Sequence, residues 1–191
     1  MTVNWLEASC VKTALIVVDM LNDFVTGALK CERAPRIIPN TQRLLDFVRK
    51  KGIPVIYAND THLPSVDKEF KIWPSHAVAG TKGAEVIDEL KPLKGDYIVQ
   101  KRRYSAFYGT DLDLLLRELH VNTLILVGLV TNVCIQHTAA DAFFRGYRIV
   151  VPEDCVETLT EIAQKSGIEY LKTMYGCKIT NMQELMKEEL I

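Results

Sequence analysis

The residue in this chain best placed for covalent chemistry is Cys134, which opens the helix in LILVGLVTNVCIQHTAADAFF, Leu124 to Phe144. The first turn of a helix carries backbone N–H groups without intrahelical partners and the positive end of the dipole. Together these favour a thiolate and can hold an oxyanion. A cysteine there is either a nucleophile or an ordinary small buried residue. Asp19, directly after the apolar run TALIVV, could be a general base or a carboxylate capping the next turn. Lys101 could be a buried cation that keeps Cys134 and Asp19 in their charged forms, or a solvated lysine beside Arg102 and Arg103. A second group is Asp60-Thr61-His62 with His76, and Glu69 between them. Alternate residues of an extended segment point the same way, so Asp60 and His62 can face one cation while His76 closes from further along. Imidazole and carboxylate ligands suit a divalent metal such as zinc, iron or manganese, and leave positions open for water or substrate.

These residues need a scaffold that brings them together. Thr13 to Val18 reads as a strand buried on both faces. Leu21 to Asn40 reads as a long loop, and Pro39 to Lys51 as a helix closed by Gly52. Ile53 to Ala58 is a second strand. Asn59 to Lys82 has no clear period, and loops of that length in compact domains are usually functional. A short helix is predicted over Gly83 to Leu90, a strand over Tyr97 to Gln100, and a helix over Asp111 to His120 with Thr110 as N-cap and Asp113 close to a capping box. Val121 to Val127 is the most hydrophobic strand, and the cysteine helix follows it to Arg145-Gly146. Arg148 to Val151 and Cys177 to Ile179 are strands, and Thr160 to Thr173 and Met182 to Leu190 are helices. Strands alternating with helices imply a three-layer αβα fold around a mostly parallel sheet of about six strands. Ligands bind beyond the carboxyl ends of such strands. Asp19, Asn59-Asp60, Lys101 and the turn before Cys134 each follow a strand, so all four should gather along one sheet edge.

Composition narrows the partners. The 191 residues fit one domain spanning 1–191, and 48% hydrophobic with 25% charged residues is the balance of a soluble globular protein. A formal net charge of −1 gives no electrostatic case for nucleic acid or an anionic membrane. The longest apolar run, Leu124 to Val130, is too short to span a bilayer, and MTVNWLEASC has no signal pattern, so a cytoplasmic location is expected. Cys10, Cys31, Cys134, Cys155 and Cys177 are widely spaced without a CxxC, which points to neither a disulfide framework nor a cysteine zinc site, although one bridge among the other four is possible. The segment after Asp19 lacks the second aspartate of a D-x-D phosphatase loop. The turn at Gly128 lacks the spaced glycines of a phosphate-binding site.

Five ordered motifs carry a resemblance: ALIVVDMLNDF, VIYANDTH, WPSHAVAGTKGAE, VQKRRYSAFYGTDL and GLVTNVCIQHTAADAFFRGY. With them the chain resembles the isochorismatase-like cysteine hydrolases, which include nicotinamidases, N-carbamoylsarcosine amidases and isochorismatases, over about Thr13 to Ile179. The resemblance implies a catalytic triad of Asp19, Lys101 and Cys134 and a cis peptide between Leu129 and Val130. It also implies an oxyanion hole from the N–H groups of Val130 and Cys134. Asp60, His62 and His76, with the Trp-Pro before His76, look like nicotinamidase metal ligands, and Glu69 lies where some members supply a fourth. Phe24, Trp73 and Tyr104 become candidates to wall an aromatic substrate, or loop-anchoring aromatics. KRRYSAF is compact, as in isochorismatases and related amidases, whereas many nicotinamidases have an insertion there. Isochorismatases generally lack this metal set, so hydrolysis of a small amide through a thioester on Cys134 is the activity implied, with nicotinamide as first substrate and an N-carbamoyl amide as alternative. A regulatory homologue on the same fold is the non-enzymatic alternative. Family members are often homo-oligomers, and the same is expected here.

Overall fold

The computed structural model describes residues 12–187. Among these, seven strands form one sheet: β1 (Thr13–Val18), β2 (Val55–Asp60), β3 (Tyr97–Lys101), β4 (Thr123–Leu129), β5 (Arg148–Pro152), β6 (Val156–Glu157) and β7 (Lys178–Thr180). The order is β3-β2-β1-β4-β5-β7, with β6 paired to the end of β4, and every pairing is parallel. The sheet is one strand larger than the expected six, because the two residues of β6 are too few to leave a hydrophobic pattern.

Alternation along the strands builds a core on each face. Leu15, Val17, Val55, Tyr57, Ile125 and Val127 meet Leu44, Leu45 and Val48 of α2 (Ile38–Lys50) and Met182 and Leu185 of α6 (Met182–Leu185). Ala14, Ile16, Val18, Leu124 and Leu126 face the other way. They meet α3 (Leu112–Glu118), α4 (Gln136–Phe144) and α5 (Glu161–Tyr175) through Leu112, Leu116, Ala139, Ala142 and Leu171. This is the three-layer arrangement the sequence implies. No helix of the described residues is long and apolar enough to cross a membrane.

Several local expectations are corrected. The helix predicted over Gly83 to Leu90 is instead two 3-10 turns, Lys82–Ala84 and Asp88–Leu90. The backbone between them is used elsewhere, since the N–H of Asn22 donates to Glu85 O and that of Ile87 to Met20 O. The loop after β1 contains a short helix, α1 (Asn22–Val25). Thr110 does accept the N–H of Leu112 at 3.3 Å, but Asp113 completes no capping box and accepts the Tyr147 hydroxyl. The second strand begins and ends two residues later than expected, so Asn59 and Asp60 lie within it. Cys31, Cys155 and Cys177 are buried and unbridged, while Cys10 and residues 188–190 of the closing helix lie outside the described residues.

The register explains the site. Val18 pairs with Ala58 on one side and Gly128 on the other, and Asp60 pairs with Lys101, so the carboxyl ends of β1 to β4 are level. The strand order reverses between β1 and β4, which opens a crevice at that edge. Gly128 permits the close approach. It has φ +113°, and a Cβ there would sit 2.0 Å from the Val18 carbonyl oxygen.

Candidate active site

Asp19 leaves β1 with φ +52° and turns its carboxylate back over the sheet edge. Its Oδ1 accepts the backbone N–H of Asp60 at 2.7 Å, and its Oδ2 lies 2.7 Å from Lys101 Nζ. Lys101 is fully buried at the end of β3. Its ammonium also donates to Asp60 Oδ1 at 2.6 Å and reaches Cys134 Sγ at 3.7 Å. Three groups far apart in sequence therefore meet on one cation. Of the two sequence readings of Lys101, the buried cation is the observed one.

The electrostatics divide the labour. Burial opposes the charge on Lys101, yet Asp19 and Asp60 outweigh it and hold the ammonium well above its usual range. Burial, with the neighbouring charge of Asp60, pushes Asp19 up to about 6 against the pull of Lys101. Burial also pushes the Cys134 thiol well above its ordinary value, and the carboxylates of Asp19 and Asp60 add to it against Lys101. Lys101 therefore favours a thiolate on Cys134, as expected, while burial and the two carboxylates oppose it.

The Leu129–Val130 peptide is cis. Thr131–Ile135 then forms a π-helical turn, the type of irregularity that recurs at functional sites, before α4 begins. Cys134 lies in this turn, where the N–H of Ile135 reaches back to Val130 O at 3.3 Å.

The second cluster adjoins the first through Asp60. Ligand atoms of Asp60, His62 and His76 lie within 4.8 Å of one another. His62 Nε2 is buried without a hydrogen-bond partner, 3.6 Å from Asp60 Oδ2 and 3.4 Å from Glu69 Oε2. Glu69 thus approaches His62 without joining the compact group. His76 Nδ1 is 2.7 Å from Pro74 O, a contact that leaves its Nε2 lone pair free. His62 Nδ1 lies 3.2 Å from Asp67, itself clamped by Arg102 with contacts of 3.0 and 2.6 Å to Oδ1. Asp60 and Glu69 flanking the buried orphan Nε2 of His62, with His76 beside them and Asp67 holding Nδ1 from behind, fit a divalent cation. His76→Ala is expected to weaken zinc binding at least about a hundredfold, measured by competition with a chromophoric chelator. Unchanged affinity would remove His76 from the ligand set.

The wall candidates Phe24, Trp73 and Tyr104 all line a cavity of about 130 Å³ that contains Cys134. That volume suits a small molecule; drug-sized ligands need about 300–1,000 Å³. Phe24 packs edge-on against His76, and Trp73 Nε1 donates to the Tyr104 hydroxyl at 2.9 Å. Leu29, Val133 and Leu159 complete the apolar lining, and Asn132 and Thr158 add polar groups. A wider groove of about 560 Å³ adjoins through Glu69 and Tyr104.

Sequence reasoning missed two supporting carboxylates. Asp67 orients His62, and Asp23 accepts the N–H of Ala77 at 2.8 Å and of Ala28 at 3.1 Å, tying the Phe24 loop to the His76 loop. The Asp23 carboxylate also lies against Gly83, where a Cβ would stand 2.1 Å from Oδ2.

Known proteins place this geometry in context. Residues 13–184 match the model of the isochorismatase domain. The structure of N-carbamoylsarcosine amidase from Thermoplasma acidophilum is 42% identical, with a TM-score of 0.84 over 90% of this chain and 96% of that one. Nicotinamidase PncA from Bacillus subtilis is 34% identical, with a TM-score of 0.83 over 89% and 99%. Pyrazinamidase of Pyrococcus horikoshii in complex with zinc is 30% identical, with a TM-score of 0.82 over 89% and 99%.

Proposed function

The chain belongs to the isochorismatase family, and on that premise we propose a metal-assisted cysteine amidohydrolase for small neutral carboxamides, with nicotinamide, hydrolysed to nicotinate and ammonia, as its first substrate. The observation that carries the reaction type is the single buried ammonium of Lys101 joining Asp19, Asp60 and Cys134. The cavity supports the substrate class. No lysine or arginine lines it, so a substrate carboxylate would find no side-chain counter-ion there. A planar neutral amide would lie against Phe24 and Trp73 instead.

Asp19 accepts the thiol proton as Cys134 Sγ attacks the carboxamide carbon, and the N–H groups of Val130 and Cys134 hold the oxyanion. The tetrahedral adduct collapses, the C–N bond breaks, and ammonia leaves with the proton held by Asp19. A thioester remains. Asp19 then takes a proton from water, whose oxygen attacks the thioester to release the acid and regenerate the thiol. Asp60, His62 and His76, with Glu69 nearby, would hold a divalent metal such as zinc, supplying a fixed positive charge and Lewis acidity for orienting substrate and water.

A second reading rests on the 42% identity to N-carbamoylsarcosine amidase and the compact KRRYSAF segment: an N-carbamoyl amide as substrate. An ammonia-release panel of nicotinamide, pyrazinamide, N-carbamoylsarcosine and ureidoacrylate decides between them. Preference for the carboxylate-bearing pair would overturn the neutral-amide reading, and no release from any amide would overturn the enzyme.

The role of Asp19 sets a pH dependence. A base must be ionised to accept a proton, and Asp19 is pushed up to about 6, so kcat/KM is expected to fall tenfold per pH unit below that value. A profile level down to pH 5 would exclude Asp19 as the base.

A further inference from the structure

The turn that carries Cys134 is gripped from behind by a segment with no part in the cavity chemistry. Thr131, first residue of the π-helical turn and fully buried, donates its hydroxyl to Gln164 Oε1 at 2.7 Å. Gln164, in the first turn of α5, donates through Nε2 to the Val156 carbonyl of β6 at 2.9 Å. β6 in turn pairs with Gly128 and Leu129, the residues leading into the cis peptide. Helix α5 presses on the turn at Gly167, where a Cβ would stand 3.2 Å from Thr131 Cγ2 and 3.4 Å from Asn132 Cβ. Neither Thr131 nor Gln164 lines the cavity. A neutral bridge of this length, buried at one end and ending on a backbone carbonyl, adds no charge and touches no ligand.

We infer that Thr131 and Gln164 are positioning residues, a side-chain bridge that fixes the nucleophile turn on β6 and so holds Cys134 Sγ and the Val130 and Cys134 N–H groups in mutual register. The inference rests on the assignment of Cys134 as nucleophile. A π-helical turn closes its hydrogen bonds over i→i+5, one residue wider than an α-helix, and is rare outside functional sites. Released from Thr131, the turn can shift Sγ away from Lys101 and from the substrate carbon, and displacements of about 1 Å in such a constellation cost about a hundredfold in rate.

Thr131→Val removes the hydroxyl at constant shape, and Gln164→Met removes both polar ends at constant length. Each is expected to lower kcat about ten- to a hundredfold with KM within about twofold, on the panel amide turned over fastest by the metal-loaded protein. Thr131→Ser should restore kcat to near the original value. The double variant should be no worse than the poorer single, because both remove the same bridge. Peptide-resolved iodoacetamide labelling of Cys134 at fixed pH supplies a readout independent of turnover, with labelling at least about threefold slower in both variants. If Thr131→Val fails to fold, Gln164→Glu, which keeps the acceptor for Thr131, reports on the Val156 end alone. Single variants with kcat and labelling within twofold of the original, or losses that multiply in the double, would overturn the bridge. Full activity of Cys134→Ala would instead overturn the nucleophile on which it rests.

Discussion

Replacing Cys134 by alanine is expected to lower ammonia release by about four orders of magnitude or more, with the fold and metal content intact. The size follows from the absence of a substitute. Among the described residues the other groups on Lys101 are the carboxylates of Asp19 and Asp60, and both already accept from the ammonium, at 2.7 and 2.6 Å. Loss of Sγ leaves both carboxylate contacts to Lys101 in place, so thermal stability should change little. Cys134→Ser is expected to be nearly as impaired, because a hydroxyl holds its proton far more tightly than the thiol and Asp19, pushed up to about 6, is a weak base for it. Mass spectrometry of the acid-quenched protein during turnover should reveal the acyl adduct on the Cys134 peptide, and alanine at this position should abolish it. Activity of Cys134→Ala within tenfold of the original would exclude the cysteine as nucleophile.

The parts of this site that were legible in the sequence share a physical cause. Strands buried on both faces appear as continuous apolar runs, and a polar residue that ends such a run must emerge at the sheet edge. Asp19 after TALIVV and the turn after LILVGL follow this rule, Lys101 ends β3, an edge strand with Tyr97, Ile98 and Gln100 exposed, and the register sets all of them level. Asp60 with His62 was legible by the same rule, although the strand runs through Asp60 instead of stopping before it. The residues that escaped act through partners distant in sequence. Asp67 means little until Arg102 and His62 close on it, Asp23 little until the loop of Ala77 reaches it, and Gln164 little until β6 supplies a carbonyl. Nor does a sequence give the balance between burial and charge. The same Lys101 that favours a thiolate also faces two carboxylates, and burial pushes the Cys134 thiol up against it.

Lys101→Met tests that balance most severely, since it keeps the length of the side chain and deletes the charge. Asp19 and Asp60 would then be left as buried carboxylates within reach of one another and without their cation. Removing one partner of a buried ion pair costs about 3–5 kcal/mol, which in a chain of this size lowers the melting temperature by about 10 °C. The loss should depend on pH, and its sign is fixed by Asp19. Its value in the folded protein is raised to about 6 from 3.8. Between those values the folded state binds more protons than the unfolded one, and stability falls as pH rises through the window. Without Lys101 the folded value rises further, because the one cation that lowers it is gone, so the window extends towards neutral pH. The melting-temperature deficit of Lys101→Met against the original chain should therefore be larger at pH 8 than at pH 5, where Asp19 can take up a proton and relieve the repulsion. Activity should fall at least about a thousandfold at neutral pH, since an Asp19 that holds its proton cannot accept another from Cys134. Equal melting temperatures at pH 8 would mean that the ammonium does not hold this cluster together.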